Sequence, residues 1–496
     1  MRKEVGGPRE TSPARSSIPA EILRNPRLPT MADGAASVVS TAGYDGDDRI
    51  SALHDDLLCA IISRLSVTDA ARTTALGPCW RHLWHSTPLA LDDADLHKSV
   101  RDAVVPRILA DHPGPFRSVI LAEVRFASLD HELAEWPSLL ATKGIQILAL
   151  VNKHIQSHHT SRRLPAEILR CVSLQRLLLG FWTFPVDLSR GADVIFPHLQ
   201  RLNMIGNAMS DHDLEYLLAA SPVLKIITLA RNKLKHVHLR SQSLQCVVIG
   251  RSAVKEVAVM ETPLLDRLIL LEPSPSAVGS ARLRIKIACA ANLRVLGYLE
   301  PRAHKLQIGY EVIEPNIMAS PRAVLPSVKI LALKVNFGVF GEVNMLARFL
   351  RCFPNVDTLH IESLPHDPSI PGYELTGELQ EYHAKFWQGV SPIKCLRSHV
   401  NRMVLHKYRG YQNEFEFLKF ITKDAPELQS LVLVPHEESF TLPDEMNEMI
   451  DRLGCPRFRA WTSKVLLVLT KVDIGFGVMT ASDLTVEDPF RCSMHG

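Results

Sequence analysis

The sequence predicts an α/β fold: a small three-helix unit, then a solenoid of short parallel strands, then a strand–helix–strand cap. Three observations predict it. A six-residue pattern, apolar-x-x-apolar-x-apolar, returns along most of the chain. Ahead of it, residues 49–91 read RISALHDDLLCAIISRLSVTDAARTTALGPCWRHLWHSTPLAL, three short amphipathic stretches rich in Leu, Ile and Trp. Near the other end, HKYRGYQNEFEFLKFITKDAPEL reads as a strand, a turn at Gly410 and a helix leading into a further strand.

Composition sets the bounds. The 496 residues are 46% hydrophobic and 22% charged, an ordinary globular balance, and a formal charge of +3 gives no push toward nucleic acid or an anionic membrane. Nine cysteines, at 59, 79, 171, 246, 289, 352, 395, 455 and 492, form no CxxC pair. Free thiols in a reducing compartment are expected, rather than a disulfide framework or a zinc ribbon. The apolar run VLLVLT at 465–470 falls far short of the ~20 residues of a membrane span. Residues 1–44 carry basic residues but no continuous apolar segment, so they are expected to be a disordered segment and not a secretory signal. Met31, in MADGAAS, offers a second start.

The helical unit spans residues 45–91. In DDLLCAIISRL, Leu57, Leu58, Ile61, Ile62 and Leu65 recur at i, i+1, i+4, i+5 and i+8, one wide apolar stripe. Asp55 and Asp56 sit in the first turn, where the helix dipole favours negative charge. SVTD has the Ser-x-x-Asp form of a capping box, so Ser66 starts a second helix that runs to about Leu76. Gly77 ends it, and Pro78 is tolerated at the first position of a third helix, with Trp80, Leu83 and Trp84 on one side and Arg81 and His82 on another. Three helices in so short a stretch cannot hide this much apolar surface among themselves. Pattern alone admits two uses for it: a cap on the domain that follows, or a docking surface for another protein.

DRISALHDDLLCAIISRLSVTDAARTTALGPCWRHLW resembles an F-box of the plant type, in order, spacing and both tryptophans. The resemblance implies binding to the Skp-family adaptor of an SCF-type ubiquitin ligase. By position it assigns adaptor contact to Leu53, Leu57, Leu58, Ile61, Ile62, Leu65, Trp80, Leu83 and Trp84. His54 stands where that family has proline, and Gly77-Pro78-Cys79 replaces a serine, a basic residue and an arginine.

The repeat region spans 92–388. Its hexads are FRSVIL at 116, IQILAL at 145, LQRLLL at 174, LQRLNM at 199, LKIITL at 224, LQCVVI at 244 and LDRLIL at 265, then VKILAL at 328 and VDTLHI at 356, and the pattern continues beyond it as VNRMVL at 400 and LQSLVL at 428. LRVLGY at 293 is a weaker copy. The first starts are 29, 29, 25, 25, 20 and 21 residues apart, the leucine-rich-repeat spacing, with one short strand per turn of a solenoid. The asparagine usual after such a strand is missing from most copies and kept at Asn207 and Asn232. LKHVHL at 234 and VKEVAV at 254 read as extra extended segments on the outer side, and SDHDLEYLLAASPVL (210–224) as a helix with Leu214, Leu217 and Leu218 inward. The recurring leucines are core, so function is expected at the variable strand positions and loops.

Residues 389–470 form the terminal cap, with Phe417, Leu418 and Ile421 facing inward, and residues 471–496 a tail. In its Tyr-Arg-Gly, Glu-hydrophobic-Glu and Ala-Pro-x-Leu elements the cap resembles the FBD module that closes many plant F-box/leucine-rich-repeat proteins. No P-loop, GxGxxG, HExxH or GxSxG is present, and no cysteine has an identifiable partner base. His236 and His238 in KHVHL share one face of a strand without a third ligand, and are expected to be a solvated pair. SHHTSRR (157–163) reads as a flexible surface loop.

Together with the repeats, the resemblance implies a non-catalytic substrate receptor of an SCF-type ubiquitin ligase, in the cytoplasm or nucleus. It would bind a Skp-family adaptor and an unknown protein target, without cofactor, metal, nucleic acid or membrane. The alternative is a non-degradative repeat scaffold or ligand-sensing protein whose degenerate first unit merely caps the array.

Overall fold

The structure, a computed structural model, describes residues 50–153, 162–185, 195–271, 282–313, 323–365, 385–436, 465–467 and 478–491. The disorder expected for 1–44, and most of the loop 157–163, lie outside the described residues.

Every hexad is a strand. The sheet begins with β1 (Leu89–Asp92), β2 (Phe116–Leu121), β3 (Ile147–Val151), β4 (Arg176–Gly180), β5 (Arg201–Ile205) and β6 (Ile226–Ala230). Strands then alternate between two sheets: β7 (His236–Arg240), β8 (Cys246–Gly250), β9 (Glu256–Glu261), β10 (Arg267–Leu271), β11 (Leu283–Ile287), β12 (Val295–Leu299), β13 (His304–Ile308) and the short β14 (Glu311–Val312). The chain finishes with β15 (Ile330–Val335), β16 (Thr358–Ser363), β17 (Arg402–Tyr408), β18 (Ser430–Pro435) and β19 (Val465–Leu467). Among the described residues the main sheet has 14 strands in chain order, β1 to β6, then β8, β10, β12 and β15 to β19, and every neighbouring pair is parallel. That is the leucine-rich-repeat solenoid expected from the period.

Within a hexad, the first, fourth and sixth residues point into the body of the solenoid. Leu199, Leu202 and Met204 are one such set, and Leu224, Ile227 and Leu229 the next, all buried in a single core that runs from Leu58 to Leu433. The third and fifth residues face the opposite, concave side, because side chains alternate along a strand. After several strands the chain turns through a left-handed residue: Phe181 (φ 61°), Gly206 (φ 64°), Arg231 (φ 57°) and Arg251 (φ 45°). At Gly206 a Cβ would also lie 2.5 Å from the Phe181 ring, so glycine is required there twice over.

The two retained asparagines hold adjacent turns together. Asn207 donates from Nδ2 to the Leu179 carbonyl (2.8 Å), and its Oδ1 accepts from the Trp182 N–H (2.9 Å). One repeat on, Asn232 donates to the Met204 carbonyl (2.9 Å) and accepts from the Asn207 N–H (2.9 Å). Both side chains are buried, so each bond satisfies backbone that water does not reach.

The outer face changes character along the array. Its N-terminal part carries α-helices, including the one expected at 210–224, Asp211–Ala219, with Leu214, Leu217 and Leu218 buried and a reciprocal capping box between Ser210 and Asp213. In the middle, helices give way to the second sheet, in which β7, β9, β11 and β13 are parallel and β14 is antiparallel. LKHVHL and VKEVAV are its first two strands. Helices return at Phe340–Cys352 and Gln412–Asp424.

The C-terminal cap follows the expected order. Gly410 turns with φ 78°, and helix Gln412–Asp424 buries Phe417, Leu418 and Ile421 together with Phe415 and Phe420. Its Glu414 is buried too, and accepts hydrogen bonds from the Ser363 hydroxyl, the Tyr411 N–H (2.8 Å) and the Arg409 N–H (3.2 Å).

Candidate interaction surfaces

Three helices form the N-terminal unit: α1 (Asp55–Ile62), α2 (Val67–Thr73) and α3 (Pro78–Ser86). His54 caps α1 with φ −60°, the angle a proline would impose, and its Nδ1 accepts from the Asp56 N–H (3.4 Å), so the helix starts without the proline. Ser66 caps α2, accepting from the Asp69 N–H (3.2 Å) while its hydroxyl donates to the Asp69 carboxylate (2.9 Å). Gly77 precedes α3 and Pro78 is its first residue, as the sequence predicts.

The nine residues named for adaptor contact divide between two faces. Leu58 and Ile62 of α1 and Trp80 and Leu83 of α3 are buried, continuous with the core of the solenoid. Leu65 and Trp84 are partly buried against the same core. Leu53, Leu57 and Ile61 are exposed, Leu57 by 54%. The stripe read from sequence was wide because two rows adjoin on it: 58 and 62 point inward, while 57 and 61, 100° away around the helix, point out. Of the nine, then, three face solvent and the other six lie in or against the chain's own core.

The inner row is locked in place. Trp80 donates from Nε1 to the Ser51 hydroxyl (2.8 Å). Trp84 meets His112 edge to face (5.0 Å), and His112 meets Phe116 at the start of β2 (5.2 Å). Burial, helped by the Lys143 charge, pushes the His112 pKa down to about 4, so the ring serves as a neutral packing element. Arg117 of β2 donates to the Ser63 carbonyl at the end of α1 (2.9 Å). The unit therefore caps the solenoid through one side.

The other side is bare. Of the eleven large hydrophobic side chains exposed among the described residues, five fall between 50 and 76: Ile50, Leu53, Leu57, Ile61 and Leu76. The rest are spread singly over the chain, as on any soluble surface. Five within one short unit is a concentration that the rest of the described surface does not show.

The concave side of the main sheet is the second surface. Along β6, β8, β10, β12 and β15 it presents Ile226, Cys246, Val248, Ile269, Val295, Ile330 and Ala332, an apolar cluster completed by Tyr298. Arg201, Arg267 and His360 stand among these at third and fifth hexad positions. Covering the cluster is the C-terminal segment 480–491, whose Ala481 and Phe490 belong to it. Arg267, 1% exposed, directs its guanidinium to the carbonyls of Asp483 (2.8 Å), Val486 (2.7 Å) and Leu484 (3.4 Å). Arg201 reaches the Ser482 carbonyl (3.3 Å) and hydroxyl (3.4 Å). His360 Nε2 pairs with the Asp488 carboxylate (3.0 Å), while its Nδ1 faces Nε2 of His406 (3.1 Å).

Burial pushes the thiols of Cys246, Cys352 and Cys395 up to about 12, and that of Cys171 to about 11, so none is a thiolate nucleophile near neutral pH. His236 and His238 are not merely solvated: Nδ1 of His236 meets Asp211 (2.9 Å) and Nδ1 of His238 meets Glu215 (2.8 Å), tying β7 to helix Asp211–Ala219. No group of three His, Cys, Asp or Glu placed to hold a metal occurs among the described residues. No helix among them is long and apolar enough to cross a membrane.

Comparison with known proteins agrees with this architecture. Residues 133–361 match a family model for the leucine-rich repeats of an FBD-associated F-box protein, and residues 388–433 match the FBD model. An F-box/FBD/LRR-repeat protein of Arabidopsis thaliana is 27% identical over 436 residues, covering 83% of this chain and 97% of the relative. An FBD-associated F-box protein of the same plant is 25% identical over 397 residues, 76% of this chain and 97% of the relative. An F-box/LRR-repeat protein, also from Arabidopsis, is 24% identical over 301 residues, 58% and 90% respectively.

Proposed function

Because this chain belongs to the plant F-box/leucine-rich-repeat/FBD family, we propose that it is the substrate-receiving subunit of an SCF-type ubiquitin ligase. The outer row Leu53, Leu57 and Ile61, with Ile50 and Leu76, docks on a Skp-family adaptor. The concave sheet receives a protein target. The chain performs no covalent step: it raises the local concentration of a target near a ubiquitin-loaded enzyme elsewhere in the assembly.

The observation that carries this reading is the bare apolar row on a helical unit whose opposite side already belongs to the core. Folding uses the inner row and leaves the outer one to be covered by something else. Capture of the full chain by purified adaptor tests it. Leu57→Asp and Ile61→Asp abolish capture without loss of folded protein, and capture equal to wild type refutes the assignment.

One observation favours a second reading, a non-degradative scaffold in which the unit is only a cap: Leu58, Ile62, Trp80 and Leu83 seal the end of the solenoid. That reading predicts that Leu57→Asp changes neither partner binding nor stability.

A further inference from the structure

The C-terminal segment lies on the concave sheet, the surface assigned above to the target, and the way it is held separates general from selective contacts. Arg201 and Arg267 bind mostly main-chain carbonyls, of Ser482, Asp483, Leu484 and Val486. Cys246 Sγ likewise faces the Ala481 carbonyl (3.7 Å). Any peptide offers such carbonyls. Side chains are contacted as such at Ser482, whose hydroxyl Arg201 reaches (3.4 Å), at Glu487, which pairs with Arg294 (3.8 Å), and through buried groups at Asp488 and Phe490. The Asp488 carboxylate meets His360, with the Arg402 charge nearby. The Phe490 ring is 1% exposed, packs edge to face on Tyr298 (5.0 Å) and lies 5.6 Å from His360. Thr485 and Glu487, which precede them, are exposed.

The holding groups are themselves built in. Arg267 is oriented by Asp266 (3.2 Å), and His360 is 0% exposed and backed by His406. Lys334 lies over the Tyr298 ring (4.9 Å) and pairs with Glu362 (3.4 Å). The segment, in contrast, is one four-residue helical turn followed by irregular chain, and the described part of it pairs with no strand. An irregular segment that joins no sheet is able to open separately from the strands beneath it.

We infer that residues 480–490 are an internal occupant of the target channel, and that the target is a peptide segment with an acidic residue two positions ahead of an aromatic, the chemistry of Asp488-Pro489-Phe490. A target engages by displacing the tail, so the tail sets a threshold of affinity that weaker peptides do not pass. This inference rests on the concave sheet being the target surface and is independent of adaptor docking.

Binding of a fluorescein-labelled peptide of residues 478–491 to the full chain tests it. Asp488→Ala/Phe490→Ala, which loosens the resident tail, strengthens peptide binding by about tenfold or more over wild type. In that background, a labelled peptide carrying the same two alanines fails to bind, and adding Arg267→Met weakens binding of the intact peptide. No gain from the double variant, or equal binding of the altered peptide, overturns the inference. If the double variant does not fold, amide exchange in the wild type decides. Residues 481–490 exchange at least about tenfold faster than β10 and β12, and protection equal to those strands makes the tail a permanent part of the core and overturns the inference. Adaptor capture is measured on the same samples. Its failure alone leaves the peptide result standing and refutes only the ligase reading.

Discussion

Two helical regions of the solenoid use different amounts of apolar surface. Between β17 and β18, helix Gln412–Asp424 sends Phe415, Phe417, Leu418, Phe420 and Ile421 inward, and Trp387 stacks on Phe420 at 4.6 Å. At the N-terminal end, α1 sends Leu58 and Ile62 inward and leaves Leu57 and Ile61 in water. A cap needs one apolar row, and the N-terminal unit has two. The surplus row distinguishes a helix wholly absorbed by the core from one that leaves apolar side chains in water.

Substitutions at the inner rows break this comparison most sharply. Phe417→Ala and Trp80→Ala each remove a buried ring from a continuous core and cost about 3–5 kcal/mol, read as a lowered denaturant midpoint. If Trp80→Ala is as mild as a surface change, the inner row of the N-terminal unit is not part of the core. Next comes Glu414→Ala, which strands the Ser363 hydroxyl and the N–H groups of Tyr411 and Arg409, for a cost of about 3 kcal/mol. A neutral result would mean that water takes over those donors.

Acid should weaken the whole body. Burial, as the largest cause, pushes His304 down to about 4 and His406 to about 3, alongside His112 at about 4. Each folded pKa lies below the unfolded value of about 6.5, so between these values the unfolded chain binds more protons and stability falls as pH is lowered from 6.5. Glu342, raised to about 7 chiefly by burial, acts in the opposite sense; burial also raises Asp92, Asp93, Glu300 and Glu414, from ordinary values that lie below this window. Melting temperature is therefore expected to drop between pH 6.5 and 5.5, and a flat profile across that window contradicts neutral burial of these rings. The smallest effect belongs to the outer row: Leu57→Asp shifts stability by no more than about 0.5 kcal/mol. A larger loss would place Leu57 in the core and undo the contrast between the two helices.

The repeat architecture was legible because period carries it. Twelve hexads became twelve strands, and Ser66, Gly77 and Pro78 bound helices where their backbone preferences predict. The division of α1 into two rows was not legible, since adjacent apolar positions give one wide stripe and only the packed neighbour decides which row is covered. Strands β11 and β13 escaped because LRIKI and HKLQI lack the hexad's leucines.

The tail on the concave sheet was missed although it left a signal. Strands β8 and β10 read CVVIG and RLILL, apolar on both faces, as expected of strands covered on both sides. Something had to cover the concave face. What sequence lacked was any way to pair Arg267 or His360 with residues more than a hundred positions away.

The most direct measurement is hydroxyl-radical footprinting of residues 50–84 in the full chain, with and without purified Skp-family adaptor. The account predicts that Leu53, Leu57, Ile61 and Leu76 are modified in the free chain and protected in the complex, while Leu58, Ile62, Trp80 and Leu83 are unreactive in both. Equal modification of the outer row with and without adaptor would contradict it.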